Sequence, residues 1–342
     1  MQIRSRNSYW DNVKFFTIAS VVFFHFLLGL IDESPNRVAQ GIYVFIYSFH
    51  MPTFLFISGL FLKYDNTHKL RIDKVIYYFL LAYILKFALW IFEDIAGSEP
   101  EWSWFSTSNI PWYLIVTAEC LVFVYLIRRI SSKIVFPLSI IIALAAGYFN
   151  IIGDFLCVSK FIVFFPFFYA GYCFNPIKAE KFIKTKKVKI ISICFFITFA
   201  VISILFTDKV FVLRNFFASR LSYSACGFPL TGVLLRTLQY IISAVMIVGW
   251  CALISKKHLV FFTNAGSRTF PVYYLHYFFA LLIIDLNLGE LLVDRMSVFG
   301  IVILAVIGFL VTCALSFPLF DYPFIFIKSI ITKICKKIGI VK

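Results

Sequence analysis

The sequence predicts an all-α, polytopic transmembrane helix bundle, and three observations carry that prediction. Hydrophobic residues make up 61% of the 342-residue chain against 14% charged, and the mean hydropathy is +0.92. That is more apolar surface than a soluble fold could hide. The apolar residues fall into runs of bilayer-crossing length. Most of the 32 basic residues lie in alternate connections, as a positive-inside bias requires.

Taken in order, about ten spans are expected: 15–31, 42–62, 76–95, 112–127, 134–149, 157–174, 190–206, 233–254, 270–286 and 298–317. The first follows the polar run Tyr9-Trp10-Asp11-Asn12-Val13-Lys14 and is interrupted once, by His25. No small-residue cleavage site follows it, so it reads as a retained helix rather than a signal peptide. The second contains Phe49-His50-Met51-Pro52 and then Phe56-Ile57-Ser58-Gly59. Lys86, Glu119 and His276 interrupt the third, fourth and ninth. The segment 207–232 could be re-entrant or interfacial.

With both termini on the cytoplasmic side, the inner tails and loops collect Arg4, Arg6, Lys14, Lys63, Lys69, Arg71, Lys74, the lysine-rich loop 175–189 and the lysines from Lys328 onward. Arg236 falls among the few outer charges. The net charge of +15 is thereby explained without a nucleic-acid partner. The eight cysteines show no CxxC pair and read as small buried hydrophobes; no metal site is expected. The chain reads as one transmembrane domain, 1–342, without an appended soluble domain.

Ionisable groups at membrane depth are costly and mark candidate sites. On a helix, Asp11, Lys14, Val22 and His25 share one stripe, and roughly 16 Å separates Lys14 from His25. Counted from the inner end of each span, His25, His50, Lys86, Glu119 and His276 lie between about 12 and 19 Å deep, which suggests a shared polar cavity. Blander roles are also open. His50 could fill a kink made by Pro52; Lys86 and Glu119 could form a structural ion pair; His276 could be packing. Small residues around Ser58-Gly59 would let a helix or a ligand approach the backbone. The cluster Lys63, Lys69, Arg71 and Lys74 fits positive-inside bias, and it equally fits a polyphosphate.

The order Asp11-x-x-Lys14 then His25, Phe49-His50-Met51-Pro52, Phe56-Ile57-Ser58-Gly59, Arg71-x-x-Lys74, Pro111-Trp112-Tyr113-Leu114, Gly266-Ser267-Arg268 and Tyr274-Leu275-His276 resembles the acyltransferase 3 family of integral membrane acyltransferases, closest to its fucose 4-O-acetylase-like branch. The resemblance implies transfer of an acyl group, usually acetyl from cytoplasmic acetyl-CoA, to a hydroxyl of a cell-surface or lipid-linked glycan at the plasma membrane. It implies catalysis at His25 and donor binding at Arg71 and Lys74. The chemistry such a site needs places further residues around these: His50 or Glu119 to orient His25 or shuttle its proton, and Asp11, Lys14 and Ser58 on the donor side, the gap from Lys14 to His25 being comparable to a pantetheine arm. Trp112, His276 and the outer acidic loop are expected on the acceptor side.

Three departures from the family pattern stand out. Lys14 replaces a frequent Arg, and Lys74 replaces the second Arg of R-x-x-R, so bidentate phosphate recognition is lost there. Thr117 stands where many members have Glu. Direct transfer and an acyl-histidine relay both remain open, as does a transporter or flippase built on the same polar residues. Expected partners are the glycan acceptor and membrane lipids.

Overall fold

A computed structural model describes residues 7–32, 35–64, 69–107, 110–149 and 155–339. Arg4, Arg6 and Lys342, assigned above to the inner side, fall outside them. The described residues are helical apart from turns, loops and one isolated bridge between Ser106 and Phe155. The chain is an all-α, multi-pass membrane protein.

Each expected span corresponds to helix. Among the described residues five helices are long and apolar enough to cross a bilayer: Arg37–Phe61, Ile72–Ile95, Lys186–Leu205, Gly232–Leu253 and Val298–Leu315. Thr269–Asp285 and Leu288–Met296, bent by 61°, make a sixth if counted as one span. Trp112–Ile127, Ser132–Ala146 and Val158–Cys173 are apolar but shorter.

Two boundaries differ instructively from the hydropathy reading. The first helix runs Ser8–Phe26, capped by the Asn7 side chain accepting from the Tyr9 N–H, so the polar run belongs to the helix instead of preceding it. A side-chain cap sets where a helix starts whatever its polarity. Second, Pro318–Lys337 is a helix with Asp321 in its first turn and lysines in its last, an arrangement that suits the helix dipole. Hydropathy had left it as a tail.

The chain divides into two compact units. The first comprises Met1–Phe54, Lys181–Phe211 and Val245–Tyr322. Its hub is the Ser8–Phe26 helix, which packs on Arg37–Tyr47, Val260–Gly266, Thr269–Asp285 and Val298–Leu315. Phe15 meets Phe261, Phe262 and Phe309, and Trp10, Val13 and Val22 are buried. Gly266 lies so close to the Asp11 carbonyl that a Cβ there would collide with it.

The second unit comprises Leu55–Glu180, Val212–Ala244 and Pro323–Lys342. Within it Gly59 packs on the Phe168 carbonyl and Gly171 on the Phe56 carbonyl, so the small residues of Phe56-Ile57-Ser58-Gly59 admit a helix. Arg236, read from sequence as an outer-loop charge, is instead buried. Its guanidinium donates to the Phe216 carbonyl and to Ser219 Oγ, satisfying the end of the short Leu213–Ala218 helix inside 207–232. No disulfide joins the cysteines among the described residues.

Candidate active site

The first helix is seated by polar clamps at its start. Asn12, fully buried, donates through Nδ2 to the Ser255 and Lys257 carbonyls, each at 2.9 Å, and accepts from Thr263 Oγ1 at 2.6 Å. Tyr9 donates its hydroxyl to the Cys251 carbonyl at 2.7 Å, and Trp250 donates its indole N–H to Thr17 Oγ1 at 2.8 Å. One rigid helix therefore carries Asp11, Lys14 and His25 together.

Near its far end three imidazoles of the first unit gather. His276, on the Thr269–Asp285 helix, has Nδ1 2.8 Å from the Val272 carbonyl and Nε2 3.1 Å from His25 Nδ1. His25 Nδ1 also lies 2.9 Å from the Val21 carbonyl. Carbonyls only accept, so in the neutral state each Nδ1 carries its hydrogen. His276 Nε2 is then an acceptor, and His25 Nδ1–H is shared between it and Val21. The lone pair of His25 is left on Nε2, on a ring that is half-buried, whereas His50 and His276 are buried.

Aromatic contacts hold the His25 ring upright: Tyr277 meets it edge-on at 5.3 Å and Phe24 at 5.1 Å. The His50 ring lies 4.7 Å from that of Phe24, with its Nδ1 2.8 Å from the Ile46 carbonyl. The helix breaks at Ser48-Phe49, between Arg37–Tyr47 and His50–Phe61. Pro52 in the first turn of the second piece lacks the N–H that a continuous helix would use. His50 thus sits at the break, and its Nε2 is left as an acceptor by the same carbonyl logic.

The remaining predicted residues divide between the units. Asp11 and Lys14, in the first, pair with each other at 2.6 Å. Ser58, Arg71, Lys74, Trp112 and Glu119 belong to the second. Ser58 Oγ and the Tyr113 hydroxyl are 3.0 Å apart. Arg71 donates from Nε and Nη2 to both oxygens of Asp73 at 2.9 and 2.8 Å. That hydrogen bond pushes the guanidinium up from its ordinary value, against a smaller opposing pull from burial. Lys74 feels the charges of Arg71 and of Lys328.

Trp112 stacks on Phe164 at 5.2 Å, with Lys160 Nζ 5.4 Å from its ring centre. Glu119 has one buried carboxylate oxygen with no hydrogen-bond partner among the described residues. The alternative Glu119–Lys86 ion pair does not form: Lys86 turns to the Ser103 and Ser106 carbonyls, because its flexible stem reaches the loop beyond its own helix.

Asp73, Lys328 and Asn12 were missed by sequence reasoning. Asp73 could have been found two residues after Arg71, in the first turn of a helix. Lys328 and the Asn12 partners come from distant stretches, and no local pattern announces them. Among the described residues no group of three or more His, Cys, Asp or Glu side chains is arranged to hold a metal; the histidine nitrogens already face carbonyls and one another.

A family model described as an acyltransferase domain matches residues 7–321. No curated protein and no solved structure matches the chain. The match takes in the first helix, all three imidazoles, the Arg71–Lys74 cluster and Glu119, and runs over nearly the whole chain: the protein belongs to the acyltransferase 3 family of membrane acyltransferases.

Proposed function

We propose that the protein is an O-acetyltransferase of the cell membrane, of the fucose 4-O-acetylase-like branch, moving acetyl from cytoplasmic acetyl-CoA to a hydroxyl of a cell-surface or lipid-linked polysaccharide. The observation that carries this reading is His25 Nδ1 held between the Val21 carbonyl and His276 Nε2. A ring so anchored presents a basic Nε2 in one orientation, which is what general-base catalysis needs. Membership in an acyltransferase family favours transfer over the transporter alternative.

In this mechanism His25 Nε2 takes the proton of the acceptor hydroxyl as its oxygen forms a bond to the thioester carbonyl carbon. The tetrahedral intermediate then expels the thiolate by breaking the C–S bond, and His25 returns the proton to sulfur. The products are the acetyl ester and free CoA. His276 acts as a positioning residue: it accepts from His25 Nδ1–H throughout and steadies the imidazolium when Nε2 is protonated. His50 and Glu119 are the other candidates for moving a proton. A low-water interior protects the thioester from hydrolysis.

On the donor side, Arg71 pairs with the Asp73 carboxylate, and Lys74 lies within electrostatic reach of Arg71, Asp73 and Lys328. Three cations against one anion form an electropositive cluster that suits phosphate groups. Lys14 adds a cation already compensated by Asp11. Both chain ends on the cytoplasmic side, with about ten spans, complete the proposal.

The test is release of CoA by protein purified in detergent and supplied with acetyl-CoA and surface glycan. His25→Ala, inserted and folded as the parent, is expected to lower turnover by about 10³-fold, within the range of a lost general base. Turnover within a few-fold of the parent would overturn the role of His25.

A further inference from the structure

Beyond the end of the Ile72–Ile95 helix the chain turns back on itself through Gly97, at φ +85°, a conformation that costs glycine little. Four hydrogen bonds from three side chains pin the returning loop. Trp90 donates its indole N–H to the Pro100 carbonyl at 2.7 Å, Tyr83 donates its hydroxyl to the Trp104 carbonyl at 2.9 Å, and Lys86 donates to the Ser103 and Ser106 carbonyls. The tryptophans meet edge to face, Trp90 with Trp102 at 81° and Trp102 with Trp104 at 86°. Lys86 Nζ lies 4.9 Å from the Trp102 ring centre. Between loop and helix is a cavity of about 140 Å³ lined by Lys86, Trp90, Glu93, Glu101, Trp102 and Ser106, among others.

The lining restricts what could fill it. A cation is opposed by Lys86, which already lies over Trp102. An anion is opposed by Glu93 and Glu101, and a wholly apolar ligand offers the polar groups of the lining no hydrogen bonds. What fits is a neutral ring with one C–H-rich face and hydroxyls on its rim. The apolar face lies against indole, the carboxylates accept from hydroxyls, and the Lys86 N–H not used by the two carbonyls donates to an oxygen. A closed cavity of about 150 Å³ holds one benzene-sized ring; a pyranose is larger, so its ring enters this open-sided cavity while its rim hydroxyls extend toward the mouth. Tryptophans of an interfacial belt turn their indole N–H groups toward headgroups; Trp90 donates inward, closing the loop.

We propose that this loop cavity is a pyranose subsite, holding one sugar residue of the acceptor glycan through Trp102, Trp90, Glu93, Glu101 and Lys86. The proposal rests on the glycan-acceptor reading for its biological role and can be tested apart from it. The probes are methyl β-glucopyranoside, methyl β-galactopyranoside and methyl β-N-acetylglucosaminide, with sorbitol as the acyclic control, observed by saturation-transfer NMR on the full-length protein in detergent.

At least one pyranoside is expected to bind and sorbitol not to. Trp102→Ala is expected to weaken binding about tenfold, the scale of a lost aromatic contact. Glu101→Gln, at an exposed position, is expected to weaken it severalfold and covers the case in which Trp102→Ala fails to fold. His25→Ala is expected to bind sugar like the parent. Absence of any pyranoside signal, equal binding of sorbitol, or binding indifferent to both substitutions would overturn the subsite. If sugars bind as described while the parent protein releases no CoA from acetyl-CoA, the acetyltransferase reading fails and the subsite stands. CoA release without sugar binding has the opposite meaning.

Discussion

Three imidazoles of the first unit are held by backbone carbonyls, whereas in the second unit the Arg71 guanidinium is held by a carboxylate, Asp73. Val21, Val272 and Ile46 each hold an Nδ1, so protonation pattern and ring direction follow from helix geometry. Around Arg71 the orientation comes from one carboxylate two residues away, and Lys74 and Lys328 contribute charge at longer range. The first arrangement specifies which nitrogen acts. The second specifies only that an anion is welcome, so lost geometry should be expensive in the first and lost charge gradual in the second.

Asn12 tests the seating on which the first arrangement depends. Asn12→Ala removes the acceptor of the buried Thr263 hydroxyl and the donors to the carbonyls of Ser255 and Lys257, two residues that are themselves exposed. The expected cost is about 1–3 kcal/mol of stability, since the buried Thr263 hydroxyl is left without its acceptor. A thermal-denaturation series in detergent measures it, and a shift indistinguishable from that of an exposed substitution such as Ser329→Ala would show that the clamp is idle.

His276 tests the orientation itself. His276→Phe removes the acceptor for His25 Nδ1–H while keeping an aromatic of similar bulk, and a 30-fold or so loss in kcat with little change in donor KM is expected. His276→Gln, whose amide oxygen can accept, should recover part of that loss. A purely structural role would lower both variants alike and move stability instead of kcat.

How much of this was legible beforehand differs between the two regions. Hydropathy and charge asymmetry were enough for the helical membrane fold, because both are properties of runs, and every expected span has its helix. His25 and His50 were visible as isolated polar groups in apolar surroundings. The contact between His25 and His276 was not, since it joins helices 251 residues apart and the sequence reading had assigned His276 to the acceptor. Asp11 and Asn12 looked like a polar entrance; in the fold Asn12 is a clamp and the Asp11 carbonyl is a packing surface for Gly266. Arg71 reads as a phosphate ligand from its place in the basic cluster alone, and nothing in that pattern shows that Asp73, two residues on, takes its guanidinium.

The charge-built region should respond in smaller steps. Arg71→Ala and Lys74→Ala are each expected to raise donor KM about five- to tenfold with kcat nearly retained, as loss of uniform binding requires. Raising ionic strength should shrink the effect, because exposed charges are screened. A fall in kcat without a change in KM would place these residues elsewhere in the reaction.

The smallest and most discriminating effect belongs to Asp73→Asn. Asp73 is buried and takes two of the five N–H groups of Arg71,, so it both lowers the net charge of the cluster and fixes the guanidinium plane. If the cluster works by charge alone, the neutral amide leaves one more uncompensated positive charge, and donor KM at low salt should fall by about two- to threefold, the size of a partly exposed ion pair. If instead the pair presents Arg71 in one required orientation, KM should rise, and adding salt should not restore it. The comparison between the two regions predicts the fall: the cations act through summed charge, and removing the Asp73 carboxylate that offsets it should strengthen what they attract.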